Sequence, residues 1–194
     1  MASANAEFVS GMGVRRPAQR MILMGPPGSG KSTVGQALAD SMGVPLISTG
    51  DLLRQHALEG TDIGKRAQPY VDSGKYAPDE VVTQALQHRL AVPDAAAGFV
   101  LDGYPRTKAQ AQGIDNLSTI DKVLYLDLPT DVSLSRIAKR GKTSGRADDD
   151  ESVARERMSL YARETQPVAD MYEKQGRLDR IDAQSPWKSL RGQQ

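Results

Sequence analysis

The stretch Leu23–Asp40, LMGPPGSGKSTVGQALAD, decides the fold. It begins inside an apolar run, Met21–Met24 (MILM), which ends at Gly25-Pro26-Pro27 and reads as a short buried parallel strand. From Lys31 to Met42 the apolar residues Val34, Leu38 and Met42 return at helical spacing, and Gly43 supplies the stop. The residues between strand and helix, Gly25 to Ser32, fit G-x-x-x-x-G-K-[ST]. Glycines let successive backbone N–H groups turn inward around an anion, and the following helix adds the partial positive charge of its N-terminus. Lys31 brings a full charge to the β and γ phosphates, and a hydroxyl from Ser32 or Thr33 serves phosphate or Mg²⁺. The plain alternative is a Gly-rich turn with no ligand; the strand–loop–helix setting favours phosphate. The loop alone implies a nucleoside triphosphate without choosing among a kinase, a switch and a motor.

Outward from this loop, strands and helices alternate. Pro45–Ser48, Phe99–Leu101, Lys122–Leu128 and Leu178–Ile181 read as further strands. Residues 51–90 read as mostly helical, with turns at Gly60, Gly64 and Gly74. Asp131–Lys139 is a further helix, and Ser152–Gln175 a long helical stretch interrupted at Pro167. Residues 141–150 (GKTSGRADDD) hold no large apolar side chain and read as a mobile loop. This alternation predicts an α/β fold, a five-stranded parallel sheet flanked by helices. In such sheets ligands bind beyond the carboxyl ends of the strands, here near Gly25, Ser48, Asp102 and Asp127.

Composition narrows the classes. With 194 residues the chain is long enough for one domain with a sizeable core. Twenty-five Lys and Arg against 24 Asp and Glu argue against a general nucleic-acid binder, which needs a basic excess. The absence of cysteine excludes disulfides and thiolate metal sites. No apolar run approaches the roughly 18 residues of a membrane span. Residues 1–20 lack a signal-peptide apolar core and read as a flexible extension, with a targeting role as the alternative.

Three further stretches choose among the nucleotide-binding classes: Ser48-Thr49-Gly50-Asp51-Leu52-Leu53-Arg54; Leu101-Asp102-Gly103-Tyr104-Pro105-Arg106-Thr107 with Gln110 three residues on; and Arg136, Arg140, Arg146-Ala147-Asp148-Asp149 and Arg157. Arg54 and Arg106 each follow a strand end, within reach of a second phosphate group, and Arg is the side chain for planar, bidentate phosphate contacts. Asp102 ends a strand, where an acid orders Mg²⁺ through water or caps a turn. Asp148 and Asp149 belong to a run of acids that reads equally as a solvated face. His56 and His88 fall in helical stretches and read as surface or packing residues.

On these segments the chain resembles the adenylate kinases, from about residue 21 to 185. The matching patterns are the phosphate loop, S-T-G-D-x-L-R, D-G-[FY]-P-R-T-x-x-Q, and G-R-x-D-D followed by an arginine. The resemblance implies a P-loop NTPase-like sheet of order 2-3-1-4-5. Residues 21–194 would form a single kinase domain, with a mobile AMP-binding segment at about 48–77 and a short lid at about 140–150. It implies that Gly28, Ser29, Gly30, Lys31, Ser32 and Thr33, with Arg136 and Arg140, bind ATP. For AMP it implies Thr49, Arg54, Gly103, Tyr104, Pro105, Arg106 and Gln110, and backbone at Lys75, Tyr76 and Ala77. Arg146 and Arg157 would reach across the phosphates between the two nucleotides. Lys31, Arg106, Arg140, Arg146 and Arg157 would be the catalytic set, with Asp102 holding Mg²⁺ through water and Asp148 and Asp149 steadying the closed lid. Two departures stand out: Ser32 replaces the family's usual Gly after the loop lysine, and Ala183-Gln184-Ser185 replaces Gly-Thr-Lys near the last strand. Five residues separate Arg140 from Arg146, too few for the hairpin of long-lid members, so a short-lid form without zinc or other structural metal is implied.

The implied reaction is Mg²⁺ATP + AMP ⇌ 2 ADP, which keeps adenine nucleotides in balance. The expected setting is a cytoplasmic monomer acting on ATP, AMP and ADP, with no nucleic-acid or membrane partner. No general base is required, because the attacking phosphate oxygen is already ionised. Gln110 stands about one helical turn after Arg106, and its amide donor and acceptor match adenine N1 and the 6-amino group. The rival readings are a UMP/CMP kinase, against which Thr49 and Gln110 argue, and a GTPase switch, whose N-K-x-D segment this sequence lacks.

Overall fold

Strand β1, Arg20–Met24, is buried from Met21 onward and pairs in parallel with a strand on each side. The structure is a computed structural model that describes residues 20–144 and 150–184. Arg20 belongs to β1, whereas the rest of the expected N-terminal extension lies outside the described residues, as do Arg146, Asp148, Asp149 and Ser185. The other strands are β2 (Leu46–Ser48), β3 (Phe99–Asp102), β4 (Lys122–Asp127) and β5 (Leu178–Asp182), and the order across the sheet is β2-β3-β1-β4-β5. Every pairing is parallel, which bears out the expected sheet.

Helices cover both faces, so strand side chains alternate between two cores. Ile22, Leu101 and Val123 point into one core with Val81, Leu86 and Tyr172. Their strand neighbours Leu23, Val100 and Leu124 point into the other, with Val34 and Leu38. The helices are α1 (Lys31–Met42), α2 (Thr49–Leu58), α3 (Asp62–Asp72), α4 (Asp79–Leu90), α5 (Lys108–Leu117), α6 (Thr130–Ser144), α7 (Glu151–Leu160) and α8 (Gln166–Lys174). Fully burying a Leu or Ile side chain contributes about 1.5–3 kcal/mol relative to exposure, so the alternation is strongly specified.

Helix α1 has the bounds the sequence predicts, and Gly43 closes it in the left-handed region at φ 67°. Three elements differ from expectation. Gly64 is inside α3, not at a turn: Thr61 caps that helix by accepting from the Gly64 N–H, and a Cβ there would collide with the His56 carbonyl of α2. It is a close-packing glycine, a role that looks like a turn signal in one dimension. Helix α6 runs on to Ser144, so residues 141–144 are helical rather than loop. A polar segment extends a helix already nucleated, because each added residue gains one backbone hydrogen bond. The long helical stretch near the C-terminus does break, but through one π-helical turn, Tyr161–Thr165, before Pro167 in the first turn of α8.

Register brings the working ends together. Leu23 stands opposite Asp102 in β1–β3, and Ser48 opposite Asp102 in β2–β3. The segments that begin at Gly25, Thr49 and Gly103 therefore leave the same edge of the sheet.

Candidate active site

The loop after β1 wraps a lysine. Lys31 Nζ donates to the carbonyls of Gly25 and Pro26, both at 2.8 Å, and to Ser29 Oγ at 3.3 Å. Gly28 sits at φ 81°, and a Cβ there would press on the Ser133 carbonyl of α6. Ser133 in turn donates its hydroxyl to the Pro27 carbonyl, tying α6 to the loop. Gly30 precedes α1 in the left-handed region, no side chain caps the helix, and its first residues Lys31, Ser32 and Thr33 line the cleft. The Lys31 side chain as a whole is only half-buried, but its ammonium is enclosed by the loop carbonyls. Burial pushes its pKa down to about 8; Asp102 opposes the shift, while Arg106, Arg157 and Arg140 add to it.

Ser32 Oγ donates to Asp102 Oδ2 at 3.0 Å. Asp102 is buried at the end of β3, so a hydroxyl and a carboxylate meet beside the loop lysine. They are hard oxygen donors, the kind Mg²⁺ takes, and the pair fits the ion expected here. Among the described residues no group of three or more His, Cys, Asp or Glu stands close enough to hold a metal by itself.

A second group of cations lies beyond β2 and β3. Thr49 Oγ1 and Arg106 Nε both donate to the Gly103 carbonyl at 2.8 Å. A Cβ on Gly50 would stand 3.3 Å from Arg54 Nη2 and 3.8 Å from Arg106 Nη2, so the two guanidiniums meet over that residue. Arg54 also pairs with Asp51 on its own helix. The stem of Arg157 passes over Gly74, whose Cβ would come 3.1 Å from the Arg157 Cγ and Cδ. Helix α7 thereby delivers its arginine to the segment between α3 and α4.

These groups line one cleft of about 670 Å³. Gly28, Gly30, Lys31, Ser32 and Thr33 form one part of the wall, together with Arg136 and Arg140. Thr49, Arg54 and residues 75–77 form another, with Asp102, Gly103, Tyr104, Pro105, Arg106, Gln110 and Arg157. Ser29 is the exception among the described candidates: it is buried and touches Lys31 rather than the cleft. Arg136 Nη2 donates to the Gln184 carbonyl at 2.8 Å, which brings the chain after β5 to the loop side.

The lining residues that sequence reasoning missed include Val71 and Val82 and, in the π-helical turn, Tyr161 and Thr165. Thr165 Oγ1 donates to the Arg106 carbonyl at 2.9 Å and contacts the Tyr76 hydroxyl at 2.8 Å. No local signal marks them, since a Thr in a helical stretch is unremarkable. His56 packs against the start of α3, with Nδ1 at 3.0 Å from Thr61 Oγ1.

A cleft at strand carboxyl ends, with a phosphate loop on one side and paired guanidiniums on the other, is suited to holding two phosphate chains. Comparison with known proteins agrees. The family model described as adenylate kinase matches residues 23–177. An adenylate kinase of Thermobifida fusca is 42% identical over 172 residues, 86% of this chain and 91% of the relative. One from Stenotrophomonas maltophilia is 43% identical over 168 residues, 84% of this chain and 90% of the relative. The cleft, the sheet order and these matches agree, and the chain belongs to the adenylate kinase family.

Proposed function

We propose that ATP and AMP lie end to end in the cleft, and that the charges lining it carry the family's reaction. That reaction is phosphoryl transfer between ATP and AMP, so the chain is a nucleoside monophosphate kinase. The observation that supports the arrangement is the convergence of Lys31, Arg54, Arg106, Arg140 and Arg157 on one cavity. Phosphoryl transfer needs two phosphates held in line and their charge neutralised, with little covalent help.

In this reading the loop amides and Lys31 hold the β and γ phosphates, and Arg136 lies beside the adenine of ATP. Ser32 and Asp102, already joined at 3.0 Å, would hold Mg²⁺, Asp102 through water. Bound with ATP, the ion neutralises charge on the transferring phosphates. Thr49, Arg54 and Arg106 hold AMP, while Arg140 and Arg157, with Arg146, reach the phosphates between the nucleotides. Asp148 and Asp149 steady the lid when it closes to exclude water, the competing nucleophile. Gln110 faces the acceptor base. Residues 21–194 act as a single domain with a 48–77 AMP segment and a short 140–150 lid. The acting unit is a monomer, since one chain supplies both halves of the cleft, and adenine nucleotides as substrates support a cytoplasmic setting. No nucleic acid, membrane or zinc enters the scheme. Among the described residues no helix is long and apolar enough to cross a membrane.

The test is acceptor-dependent ADP formation with AMP, GMP, UMP and CMP at fixed Mg²⁺ATP. AMP is the strongly preferred acceptor. UMP or CMP working as well as AMP would replace this assignment by a pyrimidine kinase.

A further inference from the structure

We infer that Asp79 is a positioning residue that sets acceptor-base specificity by fixing the sense of the Gln110 amide. The inference rests on the reading that Gln110 faces the acceptor base.

Gln110 is buried, and both ends of its amide have protein partners. Its Oε1 accepts from the Arg106 backbone N–H at 2.8 Å, and its Nε2 donates to Asp79 Oδ1 at 2.7 Å. The backbone N–H only donates and the carboxylate only accepts. Rotating the amide by half a turn would set two donors against each other at Arg106 and two acceptors at Asp79. Asp79 is itself held: its Oδ2 accepts from the Thr107 hydroxyl at 2.9 Å, while Thr107 Oγ1 caps α5 by accepting from the Gln110 N–H at 3.2 Å. Asp79 is not part of the cleft wall. It lines a separate groove outside the cleft, with Arg66 and Gln84, and Gln110 borders both.

An amide has two N–H groups and two lone-pair positions. With one of each spent on Asp79 and Arg106, one donor and one acceptor remain, in fixed order. Adenine offers an acceptor at N1 beside a donor at its 6-amino group; guanine offers a donor at N1 beside an acceptor at O6. The pinned amide satisfies adenine, and only the rotated amide would satisfy guanine. Leaving such groups unpaired in a site is what rejects the wrong base.

Four variants test this: Asp79→Ala, Asp79→Asn, Gln110→Ala and the double Asp79→Ala/Gln110→Ala. For each, KM and kcat with AMP, kcat/KM with GMP, and KM for ATP are measured. Asp79→Ala raises the KM for AMP about tenfold, the scale of one lost hydrogen bond to a charged group, and narrows the AMP-over-GMP ratio. It leaves kcat at saturating AMP and the KM for ATP unchanged. Asp79→Asn restores both values, because its carbonyl still accepts from Nε2. The double variant is no worse than Gln110→Ala. If Asp79→Ala does not fold, Asp79→Ser keeps a helix-start side chain, is too short to reach Nε2, and gives the same shift. Should Gln110→Ala alter AMP use while the Asp79 variants leave KM and base preference as in wild type, the inference is overturned. An Asp79 effect spread equally over ATP and AMP also overturns it. A Gln110→Ala variant that behaves as wild type refutes the underlying reading of Gln110 instead.

Discussion

The Arg106 guanidinium lies over the Tyr76 ring, 5.0 Å from its centroid. Thr165 spends its one hydroxyl proton on the Arg106 carbonyl, so the Tyr76 hydroxyl must donate to Thr165 Oγ1. A closed circuit of Arg106 backbone, Thr165, Tyr76 and Arg106 guanidinium results. It holds the cleft-lining Arg106 from both ends. Tyr76→Leu removes the ring and the hydroxyl together, and kcat/KM for AMP falls by about tenfold, given a cation–π contribution of about 1 kcal/mol and one lost hydrogen bond. Tyr76→Phe keeps the ring and loses less. Steady-state kinetics with AMP varied, at saturating ATP, separates the two.

Lys31→Met removes the cation enclosed by the phosphate loop. Losing a group that neutralises transition-state charge typically costs about 3 kcal/mol, so turnover falls by more than about a hundredfold. The fold survives, because the lost contacts are polar and the burial of an ammonium ends with the substitution. Coupled ADP formation and a thermal melt check the two halves; activity above about a tenth of wild type would remove Lys31 from its assigned role.

The depressed Lys31 pKa, about 8 against an ordinary 10.5, makes two quantities depend on pH. The loop needs the cation, so kcat/KM for ATP declines as pH rises through about 8. The profile of kcat declines at higher pH, since bound phosphate favours the charged form. For stability the sign is opposite. Burying the ammonium costs free energy below pH 8, and the cost fades as pH rises from 8 to 10.5, where the unfolded chain still binds the proton. The difference in unfolding free energy between wild type and Lys31→Met therefore moves in favour of wild type across that window, as denaturant titrations at several pH values would record.

Gly64→Ala places a methyl against the His56 carbonyl, where α2 and α3 cross. Overpacking of this kind costs about 1–3 kcal/mol. Helix α2 carries Thr49 and Arg54, so the KM for AMP rises while the KM for ATP holds. Urea unfolding gives the first effect and paired KM measurements the second.

The phosphate loop and the alternating strands were legible because their signals are local. An apolar run, a glycine-rich turn and a helical period all fall between Met21 and Met42, and they depend on backbone sterics and side-chain period rather than on distant partners. The bounds of α1, the stop at Gly43 and the inward-facing strand residues follow from that physics. Most candidate site residues were legible for a related reason: in a parallel sheet the segments after the strands must share one edge, so Arg54 and Arg106 converge once β2 and β3 are adjacent.

The tertiary structure alone decided how those side chains are held. Thr165 meets Arg106 across 59 positions of sequence, and Asp79 meets Gln110 across 31. Neither pair leaves a periodic trace, because a hydrogen bond between distant segments constrains only two residue types and not their spacing. Gly64 carries the same lesson in reverse: its residue type signals a turn, and the approach of α2 makes it a helix contact. By itself the sequence determined which chemistry the cleft holds, since charge and residue type act locally. The orientation of each group, down to the sense of the Gln110 amide, came from partners that only the folded chain brings within reach.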